Sequence, residues 1–538
     1  MILLVRRVRV GCAVLLLLVP AYGVACTTEG AARDERTLVA AIGSDPGHLN
    51  PAITTNGGVQ TAAGLLYNGL LTLDDSLQPQ PELAERWEVL DEGARYRFHL
   101  RRDVRWHDGQ PFTAADVKFT FDEILLTFHS RIRASLGPAL VRIDAPDDST
   151  VEFRFRQPYA PLLQQLDVGE APILPRHLFA GTDPLRNAAN RAPVGTGPFR
   201  FVAYETNGEI RYAANHDYFR GRPPLDAVVL RIIPEPATQV IALEAGEVDW
   251  LFAVPGPERE RLRRDPRIRV LQGPVNSGGS NCITTLGFNL DRPWARDIRV
   301  RRAIAHGLDR RQFLERVLFN EGRVADAPIS SKIAFAHAAD LSMPLFDTTR
   351  AVELLEAVGW RRGENGIRIA RAVPGVADGT RFVIGFKGMP TQMVYGDLLR
   401  AQLRGIGIDL RLEPLEPAVF AQAVFTARDF DTAIAAYCNG TDPEIGVRRQ
   451  YASSNIAPVP FSNMAGYRNA AMDSLFDLAG AALAVSERRR LYRQIQELAI
   501  RDQPYIWLVE TIDTRAHSVR CHGFRTSGHF AARAECTR

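Results

Sequence analysis

Apolar and polar positions along this chain change period repeatedly, and each change marks a new element. Leu38 to Ile42 is a short apolar run, the pattern of a strand. Arg95-Tyr96-Arg97-Phe98-His99-Leu100-Arg101 alternates strictly, and Val151-Glu152-Phe153-Arg154-Phe155 alternates again. Both predict half-buried strands. Glu209 to Tyr212 and Ala227 to Ile233 predict two more. Thr113-Ala114-Ala115-Asp116 has the form of a capping box, in which an acid three residues on returns to the first N–H. The helix it opens carries Val117, Phe121 and Ile124. After Asn289 the pattern turns helical. Asp297 caps a helix with Val300, Ala303, Ile304 and Leu308 on one face, and Asp309 starts the next with Phe313, Leu314 and Val317. Asp347 to Val358 is a predicted helix closed by Gly359. Gln392 to Leu403 is another, then comes strand Ile408 to Leu412, and Ser486 to Arg501 is the last long helix. Strands and helices interleave throughout, so the predicted fold class is α/β or mixed α+β.

One apolar stretch belongs to none of these elements. Val10 to Val19 follows Arg6, Arg7 and Arg9 and precedes Gly23-Val24-Ala25-Cys26. A positive head, a short apolar core and small residues before a cut make residues 1–25 an export signal. The run falls short of the ~20 apolar residues of a membrane-spanning helix. Cys26 stands where a bacterial lipoprotein carries lipid on its thiol, with Gly23 where a larger aliphatic residue is customary; the alternative is simple cleavage. Residues 26–35 are too polar to pack and read as a tether. Export excludes enzymes that depend on cytoplasmic ATP or NAD.

Composition narrows the picture further. The formal charge of +3 falls to 0 once residues 1–25 are removed, because they hold three arginines and no acid. That leaves no global field for nucleic acid. With 46% apolar residues, the remaining ~510 can bury more than one core, so two to four lobes are expected. Cys282, Cys438, Cys521 and Cys536 can form two disulfides in any of three pairings, or stay as free buried thiols. Cys521 and Cys536 are near enough to close a loop that ties down the C-terminal tail, which would leave Cys282 with Cys438.

Catalytic signatures are scarce. No Gly-Lys pair occurs, so no phosphate-binding P-loop of that type is possible; G-x-S-x-G, HExxH and CxxC are also absent. Gly195-Thr196-Gly197 begins a G-x-G pattern, but Arg200 stands where the third glycine belongs. Trp106-His107-Asp108-Gly109 reads as a turn, because adjacent His and Asp point apart and form no dyad. The histidines show no metal-ligand spacing, and no cofactor is implied. Tyr437 to Asp442 is a polar, Gly-bearing loop after the apolar Ile434-Ala435-Ala436, a common place to hold a ligand.

Several longer phrases occur together and in order: Pro81-Glu82-Leu83-Ala84-Glu85-Arg86-Trp87, Val104 to Val117, Gly195-Thr196-Gly197-Pro198-Phe199, Asn215 to Gly221, Gly246-Glu247-Val248-Asp249 and Asp297 to Ile304. By these the chain, from about Arg36 onward, resembles an extracellular solute-binding protein of the peptide/nickel-binding family, the receptors of ABC importers. The resemblance implies a periplasmic-binding-protein-like, two-lobed clamp with an extra subdomain and two hinge crossovers, near 275 and 508. Residues 36–80, 190–275 and 509–538 would form one lobe, 81–189 the extra subdomain and 276–508 the second lobe. It implies a non-catalytic monomer that hands a small polar solute, a short peptide or peptide-like compound, to a membrane permease. Opines, glycosides and siderophores are alternatives, as is a sensor or chaperone-like surface lipoprotein. Expected ligand contacts are Asn56, Gly57, Tyr437, Asn439, Asp442 and Arg448. In peptide-binding members an acid four residues before a proline holds the α-amine; here Asn439 stands four before Pro443, so Asp442 would have to substitute or the ligand would lack a free amine.

Overall fold

The protein is described by a computed structural model over residues 36–74, 77–272, 281–512, 514–525 and 529–537. The expected export signal, Cys26, the tether and the crossover near 275 lie outside these residues. Three sheets organise the described chain. A seven-stranded mixed sheet has the order Ile268–Gln272, Thr514–Ser518, Trp250–Leu251, Thr37–Ile42, Ala227–Ile232, Glu209–Ala214, Phe199–Tyr204. Thr37–Ile42 runs parallel to both of its neighbours. That position buries both its faces, with Leu38, Ala40 and Ile42 in one core and Val39 and Ala41 in another. Burial on two faces is why the strand is a continuous apolar run without alternation.

The second sheet is antiparallel and four-stranded: Ala84–Leu90, Arg95–Leu100, Thr150–Phe155, Leu140–Asp147. Arg95–Leu100 alternates as predicted, with Tyr96, Phe98 and Leu100 buried. Thr150–Phe155 departs from its expected alternation because Glu152 is also buried. Its carboxylate meets Arg97 at 2.7 Å and Arg154 at 2.8 Å, so the charge is paired where it leaves water. The predicted capping box is formed: Thr113 N–H donates to Asp116 Oδ2 at 2.9 Å, and Asp116 Oδ1 also accepts from Arg176 N–H at 2.9 Å.

The third sheet has six strands in the order Gly322–Val324, Tyr505–Thr511, Cys282–Phe288, Thr432–Cys438, Val383–Gly388, Asp409–Pro414. Helices Ile298–His306, Thr348–Val358, Met393–Gly405 and Val485–Asp502 fall where the apolar periodicity places them. Asp297 and Asp347 cap the first two, and Gly359 ends the second with a φ of 108°. The chain leaves this sheet after Thr511 and enters the seven-stranded sheet at Thr514, a few residues beyond the expected position of 508.

Gly195 and Gly197 have a packing role. A Cβ on Gly195 would collide with the carbonyl of Leu66, and one on Gly197 with the carbonyls of Leu65 and Leu66. His107 bridges this turn, accepting from Gly195 N–H at 3.2 Å, while Asp108 meets His177 at 2.7 Å. The Trp106–Gly109 segment is therefore scaffold.

The C-terminal tail is fastened twice. Cys521 and Cys536 are bonded, and Arg520 grips Asp249 at 2.8 and 3.1 Å. Asp249, only 1% exposed, also accepts from Val39 N–H at 2.9 Å, so one carboxylate ties the tail to the central strand. Removing one partner of such a pair strands the other's charge out of water. Arg520→Ala is expected to lower stability by about 3 kcal/mol. Urea unfolding checks this, and a loss below ~1 kcal/mol would show that water replaces the guanidinium freely.

Candidate functional site

The site begins with a strand pair. Cys282–Phe288 and Thr432–Cys438 are antiparallel, and Cys282 stands directly opposite Cys438. The two are joined by a disulfide, so the loop that follows Cys438 leaves the sheet edge from a fixed point. Asn281 holds that loop by donating from Nδ2 to Gly440 O. Gly440 takes a φ of 68°, which glycine adopts without strain. Asp442 then caps the short helix Pro443–Gly446, accepting from Glu444 N–H at 2.9 Å, and Arg448–Tyr451 follows.

These short helices press against the body that carries the four-stranded sheet. They contact helix Ser130–Ala139 and the turn Ala160–Gln165. Thr441 Oγ1 donates to Gln164 O at 3.0 Å across this junction, and a Cβ on Gly440 would come within ordinary contact of Glu170. Leu483, from the loop before Val485–Asp502, lies over Gly93.

Charges are concentrated where the two bodies meet. Asp442 is fully buried and paired with Arg488 at 2.7 Å, with Tyr492 O–H donating at 3.1 Å. Glu444 pairs with Arg448, which also reaches Asp477 at 2.5 Å. Arg131 and Glu170 face each other at 3.0 Å, both nearly inaccessible. Burial, then the neighbouring Glu170 charge, pushes the half-buried Asp167 up to about 7. Burial likewise raises Glu444 to about 7 against the opposing pull of Arg448. His129, fully buried, is pushed down to about 3, by burial first and then by Arg131 and Arg449.

Among the described residues, the buried polar atoms here without a hydrogen-bond partner include His129 Nε2, Gln164 Oε1, Gln165 Oε1, Glu444 Oε2 and Asn439 Nδ2. Ile132 N–H donates to His129 Nδ1, so the hydrogen of the neutral ring is on Nε2. Ser330 N–H donates to Asn439 Oδ1 at 2.6 Å, which leaves the Nδ2 hydrogens free. The junction thus offers both unsatisfied donors and unsatisfied acceptors away from water. Native proteins leave few such groups, and each asks for a partner.

The structure sorts the expected contacts. Asn439 belongs to the junction. Asp442 does too, but its carboxylate is already committed to Arg488, Tyr492 and its helix cap. Arg448 points to Glu444 and Asp477, and its neighbour Arg449 is the buried one. Tyr437 lies in the hydrophobic core and its O–H is used by Ser462 O at 2.9 Å. Alternation along Thr432–Cys438 decides this, since Tyr437 follows Ala433 and Ala435 onto the core. Asn56 and Gly57 are exposed, with Asn56 Oδ1 capping helix Gly57–Ala63. Sequence reading missed His129, Arg131, Asp167 and Glu170. The signal was there: His129-Ser130-Arg131-Ile132 and Glu170-Ala171-Pro172-Ile173 place charge beside apolar residues.

Three sheets, two of whose bodies meet at a polar junction, organise the described chain. The profile of the bacterial extracellular solute-binding proteins, family 5 (middle region), matches residues 78–458, and the chain belongs to that family. It is 27% identical over 485 residues to the oligopeptide-binding protein AppA of Bacillus subtilis, covering 88% of this chain and 85% of the relative. It is 26% identical over 526 residues to heme-binding protein A of Haemophilus influenzae, covering 92% and 91%. The structure of AppA with a nonapeptide superposes with a TM-score of 0.80 at 24% identity, over 93% of this chain and 99% of that one. The family is a substrate-binding, non-catalytic type of protein whose members work outside the cytoplasm. Among the described residues no helix is long and apolar enough to cross a membrane.

Asp167 gives a pH signature. Its folded pKa of about 7 lies above the ordinary 3.8, so the folded state holds the proton longer. Its contribution to stability is present below pH ~4 and is lost as pH rises to about 7. Stability of the unliganded protein, followed by urea midpoint over that window, should fall less with pH in Asp167→Asn. Parallel curves would mean that water already solvates this carboxyl.

Proposed function

We propose that the protein is the exported receptor of an ABC importer, closing on a short peptide or peptide-like solute at the junction described above. The observation that carries this reading is the set of unpartnered donors and acceptors on both sides of it. A polar solute would satisfy them in a dry cleft, where a few groups fix orientation. Residues 36–80, 190–275 and the tail form one lobe in this reading, 81–189 the subdomain and 276–508 the other lobe. Closure is hinge motion about the two crossovers, with ligand shifting the balance toward the closed state. Residues 1–25 would direct export and Cys26 would carry the lipid that keeps a monomer at the outer face of the membrane. AppA and heme-binding protein A, with a peptide and heme in their names, mark how widely ligands range among relatives.

A second reading, a solute without a free amine, is favoured by Asn439. An amide supplies no full charge for an ammonium group.

Thermal shift of the mature protein against peptides, N-acylated peptides, opines, glycosides, siderophores and nickel tests both. A solute at 100 times its Kd should stabilise the protein by about 2.7 kcal/mol. Stabilisation by free peptides supports the first reading; stabilisation confined to amine-blocked or non-peptide solutes supports the second. Asn439→Asp should move preference toward solutes with a free amine. Unchanged selectivity would show that this loop does not anchor that end.

A further inference from the structure

Arg449 differs from the other three junction arginines. Arg131, Arg448 and Arg488 each face a carboxylate. Among the described residues Arg449 forms no ion pair within 4 Å, although it is only 8% exposed and Glu170 acts on it from farther away. Its Nε donates to Gly446 O at 3.1 Å and its Nη2 to Cys438 O at 3.2 Å. Its guanidinium carbon lies 5.7 Å from the Tyr437 ring centre and 5.9 Å from that of Phe461. Carbonyls and ring faces soften a buried positive charge without neutralising it. The strain is visible in its surroundings. Burial and the Arg131 charge lower Arg449 to about 10, and the two arginines add to the burial that keeps His129 neutral.

The count of charges points the same way. Arg131 and Arg449 face the single nearby charge of Glu170, with Asp167 held partly protonated beside it. Net positive charge is left over. His129 Nε2–H, unpartnered and coupled to the same two arginines, is a neutral donor in the same place. A monoanion fits this arrangement, and a phosphate dianion would overshoot it beside Glu170.

We propose that Arg449, together with the Nε2–H of His129, holds a carboxylate of the bound solute. This rests on the reading of the junction as the solute site. It also assigns the anchoring role to the opposite end of a peptide from the amine that Asn439 cannot pair. An Arg–carboxylate bond out of water is strong and directional, so it would set the register of the ligand in the cleft.

The test uses matched pools of di- to tetrapeptides, as free acids and as C-terminal amides, titrated against the mature protein by calorimetry and thermal shift. The free acids are expected to bind at least ~30-fold more tightly than the amides. Arg449→Gln should erase that difference, and Arg449→Lys should keep part of it, with circular dichroism confirming that both variants are folded. Acids and amides bound equally by the wild-type protein would overturn the carboxylate assignment and leave the peptide reading standing. If neither pool binds, the peptide reading falls and the assignment falls with it. The wild-type comparison decides the matter even if Arg449→Gln fails to fold.

Discussion

Everything at the junction follows from the cost of taking charge out of water. Three guanidiniums, of Arg131, Arg449 and Arg488, and several carboxylates are buried there. A buried ion stays charged only where a partner or a dense set of hydrogen bonds replaces its hydration. Asp442 and Arg488, Glu444 and Arg448, and Glu170 and Arg131 meet that condition in pairs. The groups left over carry the information. They show which charges and hydrogen bonds the protein has held in reserve.

The rest of the fold serves to bring these groups together and hold them still. The disulfide and Asn281 fix where the loop leaves the six-stranded sheet. Gly440 lets it turn, and Gly446 lets helix Pro443–Gly446 pack directly on the Asn439 backbone, where a Cβ would collide. On the other side, helix Ser130–Ala139 presents His129 and Arg131 from a body built on its own antiparallel sheet. The Asp249–Arg520 clasp fastens the tail to the strand at the centre of the seven-stranded sheet. Thus secondary-structure elements anchored in the sheets supply the polar atoms of the junction.

This division also accounts for relatives of one fold that differ in ligand. A structure that shares 24% of its residues keeps the same overall fold. The polar atoms at the junction sit on short loops and helix starts. Loops of that kind can change their polar groups without disturbing the scaffold.

Local chemistry made much of this protein legible from sequence. Alternation at Arg95–Leu100, the Asp caps at Asp297 and Asp347 and the stop at Gly359 are each decided by a few neighbouring residues, and they appear where expected. So does the family, whose phrases mostly encode turns, caps and close glycine contacts. The site was legible only in part. Asn439 and Asp442 were found because the loop that bears them follows a strand, but Tyr437 faces the core and Arg448 pairs with the buried Glu444 and the exposed Asp477. His129, Arg131, Asp167 and Glu170 lie some 270 or more residues from Asn439 and Arg449 along the chain. Sequence settles which residues can form a strand, a cap or a turn, because those choices depend on neighbours. Which charges share a dry space, and which of them is left without a partner, depends on distances between remote segments, and only the tertiary structure decides those.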